Sequence, residues 1–233
     1  MQKKLAFLKY VLFVSLLRVP ALSFAIAAVR FIFIRYVLRR RLSVWSGDKS
    51  QTRLLEYSQS AFNKILIRPL TRSVIPISLA SSLLWPKVFD KKLLIIGPRY
   101  ESDYFLALGY GFSKSHLTLI DHFSYSKLVT VGDGHSIQYP NDYFDVVIAS
   151  WVLTYSKHQT LLLSEVRRVL KQDTGIAVIT GDQDKPPSNL FSSRSVQEQW
   201  PIKTDNVVVS WPPIREVDSA SPHGIVVIQK STT

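Results

Sequence analysis

Residues 93–121 read LLIIGPRYESDYFLALGYGFSKSHLTLID. Two apolar runs, Leu93–Ile96 and Leu117–Ile120, bracket a stretch, Glu101–Gly109, that reads as a helix. The runs are continuous rather than alternating, which fits strands covered on both faces. A strand, a helix and a second strand in that order form a crossover unit and so imply a parallel pair. Four more short runs follow at Val146–Ala149, Ile176–Ile179, Val207–Val209 and Ile225–Ile228. Gln159–Lys171 reads as a helix, with Leu162, Val166, Val169 and Leu170 on one face and Gly175 in the turn after it. The expectation is an α/β domain on a mostly parallel sheet.

In such sheets ligands bind at the carboxyl ends of the strands. Gly97 ends the first run, where a glycine permits a tight turn and a close backbone approach to a ligand. The helix beginning near Glu101 would aim its positive end at the same place. Asp121 ends the second run, where a carboxylate can accept hydrogen bonds from ribose hydroxyls. Two further clusters lie downstream, VGDGHSIQYP at 131–140 and NDYFDVVIASWVLTYS at 141–156.

With these residues quoted, residues 93–181 resemble a class I S-adenosylmethionine-dependent methyltransferase, of the type 11 kind. The stretch from Gly132 to Gly175 carries most of the likeness. It has an acid after the third strand, the apolar-proline pair Tyr139–Pro140, a Phe144–Asp145 start to the fourth strand, and EVRRVLK before a turn glycine. The resemblance implies a Rossmann-like, seven-stranded-type sheet with helices on both faces, and S-adenosylmethionine as cofactor. Carried over position by position, Gly97 matches the first glycine of the cofactor loop, Asp121 the ribose-binding acid, and Asp133 the acid near the adenine amino group. Ser150 and Trp151 fall where the fourth strand opens toward methyl donor and substrate. The loop departs from the pattern: Ile95 stands where an acid is usual, and Arg99 and Glu101 replace later glycines. Arg99 could pair with the cofactor's methionine carboxylate, or form a surface ion pair of little worth. His135 could act as a base, or orient Asp133 and its loop, the reading we favour; His122 is read as incidental. Trp151 and Tyr155, at helical spacing, also suit a core. No His, Asp or Glu group has metal-ligand spacing.

The charge is lopsided. The 233-residue chain carries a net +12, yet residues 1–90 hold 15 Lys/Arg against 3 Asp/Glu, and residues 91–233 hold 14 of each. The excess sits on and beside an apolar segment, residues 5–34, interrupted by Lys9, Arg18 and Arg30. A membrane-spanning helix wants about 20 apolar residues, and an Arg near its middle costs roughly 2.5–3.5 kcal/mol. On a helical wheel the charges form no stripe. Pro20 offers a bend near Arg18–Pro20, and both flanks are basic, with Lys3 and Lys4 before and Arg35, Arg39, Arg40 and Arg41 after. The positive-inside rule would hold both flanks in the cytoplasm. These features favour a re-entrant or monotopic anchor over a span, a cleaved signal or a nucleic-acid arm.

The expected organisation is a basic, membrane-associated helical segment at 1–45, a helical connector at 46–90 with a helix over 50–68, and the α/β domain at 91–233. The expected function is methyl transfer from S-adenosylmethionine at the cytoplasmic face of a membrane. The acceptor would be an unidentified small molecule or glycan, such as a lipid-linked glycan or its precursor. The expected partners are the lipid surface and other membrane proteins, and not nucleic acid. The alternative is a non-catalytic, membrane-anchored scaffold that keeps the fold. The absence of cysteine excludes disulfides, thiolate metal sites and cysteine nucleophiles.

Overall fold

A computed structural model of the chain describes residues 12–45, 73–98, 100–182, 193–211 and 223–232. The helix expected over 50–68 lies outside the described residues. The element order is α1 (Pro20–Ile32), β1 (Ser43–Val44), α2 (Val74–Leu83), β2 (Leu93–Ile96), α3 (Ser102–Gly109), β3 (Leu117–Asp121), β4 (Phe123–Ser124), β5 (Thr130–Val131), β6 (Val146–Ser150), α4 (Val152–Tyr155), α5 (Gln159–Val169), β7 (Ile176–Asp182), α6 (Ser193–Gln199), β8 (Asn206–Trp211) and β9 (His223–Gln229).

Seven strands form one sheet in the order β5-β3-β2-β6-β7-β9-β8. The pairs β5–β3, β3–β2, β2–β6 and β6–β7 are parallel, while β9 runs antiparallel to both β7 and β8. The architecture is Rossmann-like, and all six runs expected as strands are strands. Both faces of the central strands are buried, as their continuous hydrophobicity requires. Leu93 and Ile95 of β2 and Val146 and Ile148 of β6 face α2 and α3. Leu94, Ile96, Val147 and Ala149 face α5 and α6, against Leu162, Val166 and Trp200.

Residues 74–83, expected within a connector, form a helix despite Pro76. The proline sits in the first turn, where the N–H it lacks would have no intrahelical partner. Ile77 and Ala80 then bury completely against the sheet.

The N-terminal segment packs on the domain as a built-in layer. The chain turns at residues 17–19 and restarts as α1 at Pro20, so the bend expected near Arg18–Pro20 is present. Arg18 Nε donates to the Gly109 carbonyl at 2.7 Å, closing the end of α3. A Cβ on Gly109 would lie 2.5 Å from the backbone of Leu17 and Arg18, so only glycine permits this approach. Along α1, Ser23, Ala27 and Ala28 are buried and face α3. Arg30 makes a two-pronged ion pair with Glu101, Nε to Oε2 at 2.6 Å and Nη2 to Oε1 at 3.1 Å. The other side of the helix is apolar and bare: Val29, Ile32, Phe33, Tyr36 and Val37 are all exposed. Pro20–Val37 is long and apolar enough by composition to cross a membrane, but here it lies along the domain. Residues 33–37 widen into a π-turn, with Leu38 N–H donating to Phe33 C=O at 2.9 Å. Arg39 then adopts φ 51° and turns the chain into β1.

Asp103 is buried where α1, α2 and α3 meet, and its Oδ2 accepts the Ser73 hydroxyl at 2.7 Å. Burial pushes its carboxyl up to about 6 from 3.8, and the hydroxyls of Ser73 and Ser102 offset only part of this. The folded state therefore binds the proton more tightly than the unfolded chain. Its destabilising effect is full above pH 6 and fades as pH falls toward 3.8. Asp103→Asn should be more stable than the parent at pH 8 by on the order of 2–3 kcal/mol, with the advantage shrinking at pH 5. Urea melts of both proteins at the two pH values measure the difference.

Candidate functional site

The carboxyl ends of β2, β3 and β6 bring the sequence-predicted residues together. Gly97 follows β2 with φ +71°, and its N–H donates to the Ile120 carbonyl at 2.9 Å. A Cβ there would lie 2.6 Å from Val152 Cγ2, so glycine lets α4 close over the end of β2. Arg99 lies outside the described residues. Glu101 caps the start of α3 and is buried, but its carboxylate is committed within the protein. It pairs with Arg30, whose guanidinium also lies 5.7 Å from the centre of the Phe105 ring, and it accepts the Ser126 hydroxyl.

Asp121 ends β3 half-buried; its carbonyl accepts from Gly132 N–H at 2.9 Å and its Oδ1 from Phe123 N–H at 3.4 Å. Asp133 lies in the next loop. Its Oδ1 accepts from the backbone N–H of His135 at 2.9 Å and faces His135 Nδ1 at 2.7 Å and His122 Nε2 at 3.2 Å. Burial by itself would raise this carboxyl, but the hydrogen bonds from His122 and His135 hold it well below the usual carboxylate range. His135 Nε2 in turn meets Ser156 Oγ at 2.7 Å.

At the end of β6, Trp151 takes a left-handed conformation, φ 59° and ψ 7°. For a bulky residue this costs on the order of 1–3 kcal/mol and marks a position held by its surroundings. Its N–H donates to the Thr180 carbonyl at 2.7 Å. Ser150 and Thr180 are register partners on β6 and β7. Among the described residues, their hydroxyls and that of Thr154 are buried without a hydrogen-bond partner. Buried unpaired hydroxyls are costly and uncommon; here Ser150 ends β6 beside Thr180 on β7, on the side of the sheet where this architecture binds ligands, and Thr154 lies in α4 just after β6.

Sequence reasoning missed four participants. His122 was read as incidental, yet it touches Asp133. Ser156 closes the quoted 141–156 cluster but carries no expected role there. Trp45 stacks on His122 with ring centres 5.7 Å apart and 17° between planes, and its N–H donates to the His122 carbonyl at 2.9 Å. Arg30 was counted only as a charge. Among the described residues no group of three or more His, Cys, Asp or Glu could hold a metal ion.

Several residues that carry the family likeness hold the frame instead of facing a ligand. Asp145 is buried between Lys91 at 3.1 Å and Lys171 at 2.9 Å. Burial would raise its carboxyl, but the Lys92 backbone N–H and the two lysines lower it. Glu165 accepts from Ile137 N–H at 2.9 Å and pairs with Arg168 at 2.7 Å. Arg168 also donates to the carbonyls of Ile137 and Tyr139. The pair pins the loop that carries Tyr139 and Pro140.

These groups fit the nucleoside half of an adenosyl cofactor. Asp121 offers a half-buried carboxylate at a strand end and Asp133 a carboxylate held ionised, and among the described residues the hydroxyls of Ser150 and Thr180 on β6 and β7 lack partners. At the glycine-loop end, the Glu101 carboxylate is taken up by Arg30 and Ser126.

A family model described as a methyltransferase domain matches residues 108–179. No curated protein matches the chain. Among solved structures, the chain is similar to one from Haloferax volcanii, determined in a complex of the Trm112 methyltransferase activator with a candidate methyltransferase. The TM-score is 0.53 and the identity 13%, over 81% of this chain and 99% of that one. A candidate S-adenosyl-L-methionine-dependent methyltransferase from Methanococcus maripaludis gives 0.50 and 13%, over 82% and 99%. A candidate sarcosine dimethylglycine methyltransferase from Galdieria sulphuraria gives 0.50 and 14%, over 68% and 86%. At these identities the likeness is one of fold.

Gly97→Ala tests the strand-end geometry. The left-handed backbone costs an alanine about 1–2 kcal/mol, and the new methyl must also displace Val152. The variant should melt several degrees below the parent by circular dichroism.

Proposed function

Because the chain carries a domain of the class I S-adenosylmethionine-dependent methyltransferase family, we propose that it transfers a methyl group at the cytoplasmic face of a membrane, to a lipid-linked glycan or a precursor of one. The observation that carries the transfer reading is the convergence of Asp121, Asp133 and the unpaired Ser150, Thr154 and Thr180 hydroxyls on one set of strand ends. S-adenosylmethionine supplies an electrophilic methyl group when bound. Asp121 would hold the ribose hydroxyls and Asp133 the adenine amine. Gly97 would let the cofactor loop turn tightly after β2, and Ser150 and Trp151 would border the space for donor and acceptor. Methyl transfer needs the two reactants held in line, and such alignment can supply several kcal/mol of the barrier reduction. A protein base is needed only for an acceptor that arrives protonated.

The membrane reading rests on α1. Val29 and Ile32 on α1 and Phe33, Tyr36 and Val37 on the π-turn that continues it form an exposed apolar stretch, and Arg35, Arg39, Arg40 and Arg41 cluster at its end. Such a helix suits lying in the interface of an anionic bilayer, with its opposite face on the domain. That arrangement keeps the α1–α3 contacts, which a spanning helix would have to give up. A substrate confined to the same bilayer is then the economical choice, since the anchor restricts the enzyme to a surface.

One observation favours the scaffold reading: a carboxylate bound to Arg30 stands where the family's loop has a glycine. Titration of the full-length protein with S-adenosylmethionine separates the two. Micromolar, saturable binding that weakens at least tenfold in Asp121→Ala supports transfer, and no binding at millimolar cofactor leaves the scaffold. In flotation assays, the protein should bind vesicles of phosphatidylcholine with 30% phosphatidylglycerol. Phe33→Glu should abolish this, and replacing the four arginines by glutamine should remove the preference for anionic lipid.

A further inference from the structure

Asp133 is served by more protein groups than a loop carboxylate needs. Three donors converge on one of its oxygens, Oδ1: the His135 backbone N–H at 2.9 Å, the His135 ring at 2.7 Å and the His122 ring at 3.2 Å. Among the described residues, Oδ2 accepts no hydrogen bond. The carboxylate side chain is 13% exposed.

Each imidazole is itself fixed from behind. With an ionised carboxylate on Nδ1, His135 carries its proton there, so Nε2 accepts the Ser156 hydroxyl at 2.7 Å. Ser156 is buried, and its oxygen also accepts the His158 N–H at 3.1 Å. The path His158 N–H, Ser156 hydroxyl, His135 ring and Asp133 carboxylate therefore leaves one tautomer and one ring orientation. His122 is clamped by the Trp45 ring on its face and by the Trp45 N–H on its carbonyl. Trp45 arrives there because β1 pairs with β4 in antiparallel register, Ser43 with Ser124 and Val44 with Phe123. The N-terminal segment thus supplies part of the support for a carboxylate of the candidate site.

We propose that His135 and His122 are positioning residues that load Oδ1 of Asp133, turn Oδ2 toward the purine, and so make the site selective for a 6-amino over a 6-oxo base. The inference deepens the methyltransferase reading and rests on it. An ionised, fixed carboxylate can only accept hydrogen bonds. It rewards a 6-amine, which donates, and repels a 6-carbonyl oxygen; held in place, Oδ2 also cannot swing across to the N1–H that a 6-oxo purine offers instead. A site built this way rejects the wrong partner because its own buried polar group is left unpaired. A carboxylate free to rotate would lose much of that selectivity, because it could turn Oδ2 away.

The test compares S-adenosylhomocysteine with S-inosylhomocysteine on the full-length protein by calorimetry. The wild type should prefer the adenosyl compound by about a hundredfold or more. His135→Ala should cut the ratio to a few-fold, Ser156→Ala should lie between, and His135→Asn should recover part of it by restoring an N–H toward Oδ1. Asp133→Asn should abolish the preference. The ratio of two affinities on one preparation does not depend on the fraction folded, which separates positioning from simple loss of structure. A ratio within twofold of wild type in His135→Ala overturns the inference and leaves the cofactor reading intact. Failure of the wild type to bind the adenosyl compound overturns both.

Discussion

The Arg30–Glu101 ion pair holds the molecule's two halves in one arrangement. Its partners are 71 residues apart in sequence, and it joins the apolar N-terminal helix to the first turn of α3, directly after the loop that follows β2. The two-pronged geometry fixes direction as well as distance. Glu101 is buried, so among the described residues removing Arg30 would leave its carboxylate the Ser126 hydroxyl alone, a costly state for a charge out of water. Around this pair the remaining contacts fall into place: Arg18 on the Gly109 carbonyl, Ala27 and Ala28 against α3, and the edge-on packing of Phe31 and Tyr125.

This arrangement explains a helix that is apolar on two sides. One side is used up by the domain, so its residues are small, Ser23, Ala27 and Ala28, and the helices come close. Phe24 and Phe31 pack beside them on Tyr100, Phe123 and Tyr125, while Val29, Ile32, Phe33, Tyr36 and Val37 face outward. A soluble surface helix would be polar there. The same segment continues past the arginine turn into β1 and Trp45, and so reaches the cleft at a second point. The apolar stripe and the candidate cofactor carboxylate are linked by a short run of chain.

The signature by which the domain is recognisable is mostly a packing signature. Asp145, Glu165 and Arg168 are engaged with lysines, backbone groups and one another, and they brace the amino ends of the central strands β2 and β6 and the loop at 137–141. Groups that face the cleft are fewer, and they are individually ordinary: an aspartate after a strand, a second in a turn, a serine and a tryptophan. Their meaning comes from convergence. Strain at Trp151 and the unpaired hydroxyls of Ser150, Thr154 and Thr180 are the local signs that the strand ends are kept for something other than stability.

The sequence alone determined the sheet. Continuous apolar runs can be buried on both faces only in a covered sheet, so six strands, their mostly parallel arrangement and the placing of Gly97 and Asp121 at carboxyl ends were legible, while Asp133 was reached through the family resemblance alone. Local chemistry also marked the bend before Pro20. Helix α2 was hidden by its proline, although a proline in a first turn gives up no hydrogen bond. What only the tertiary structure decided were pairings between distant residues. Glu101 belongs to Arg30 and Ser126, His122 to Trp45 and Asp133, and His135 to Ser156. A strand's periodicity is written in neighbouring residues, whereas a hydrogen bond's partner depends on where two separate segments meet in space. Nothing in either segment's own sequence specifies that meeting.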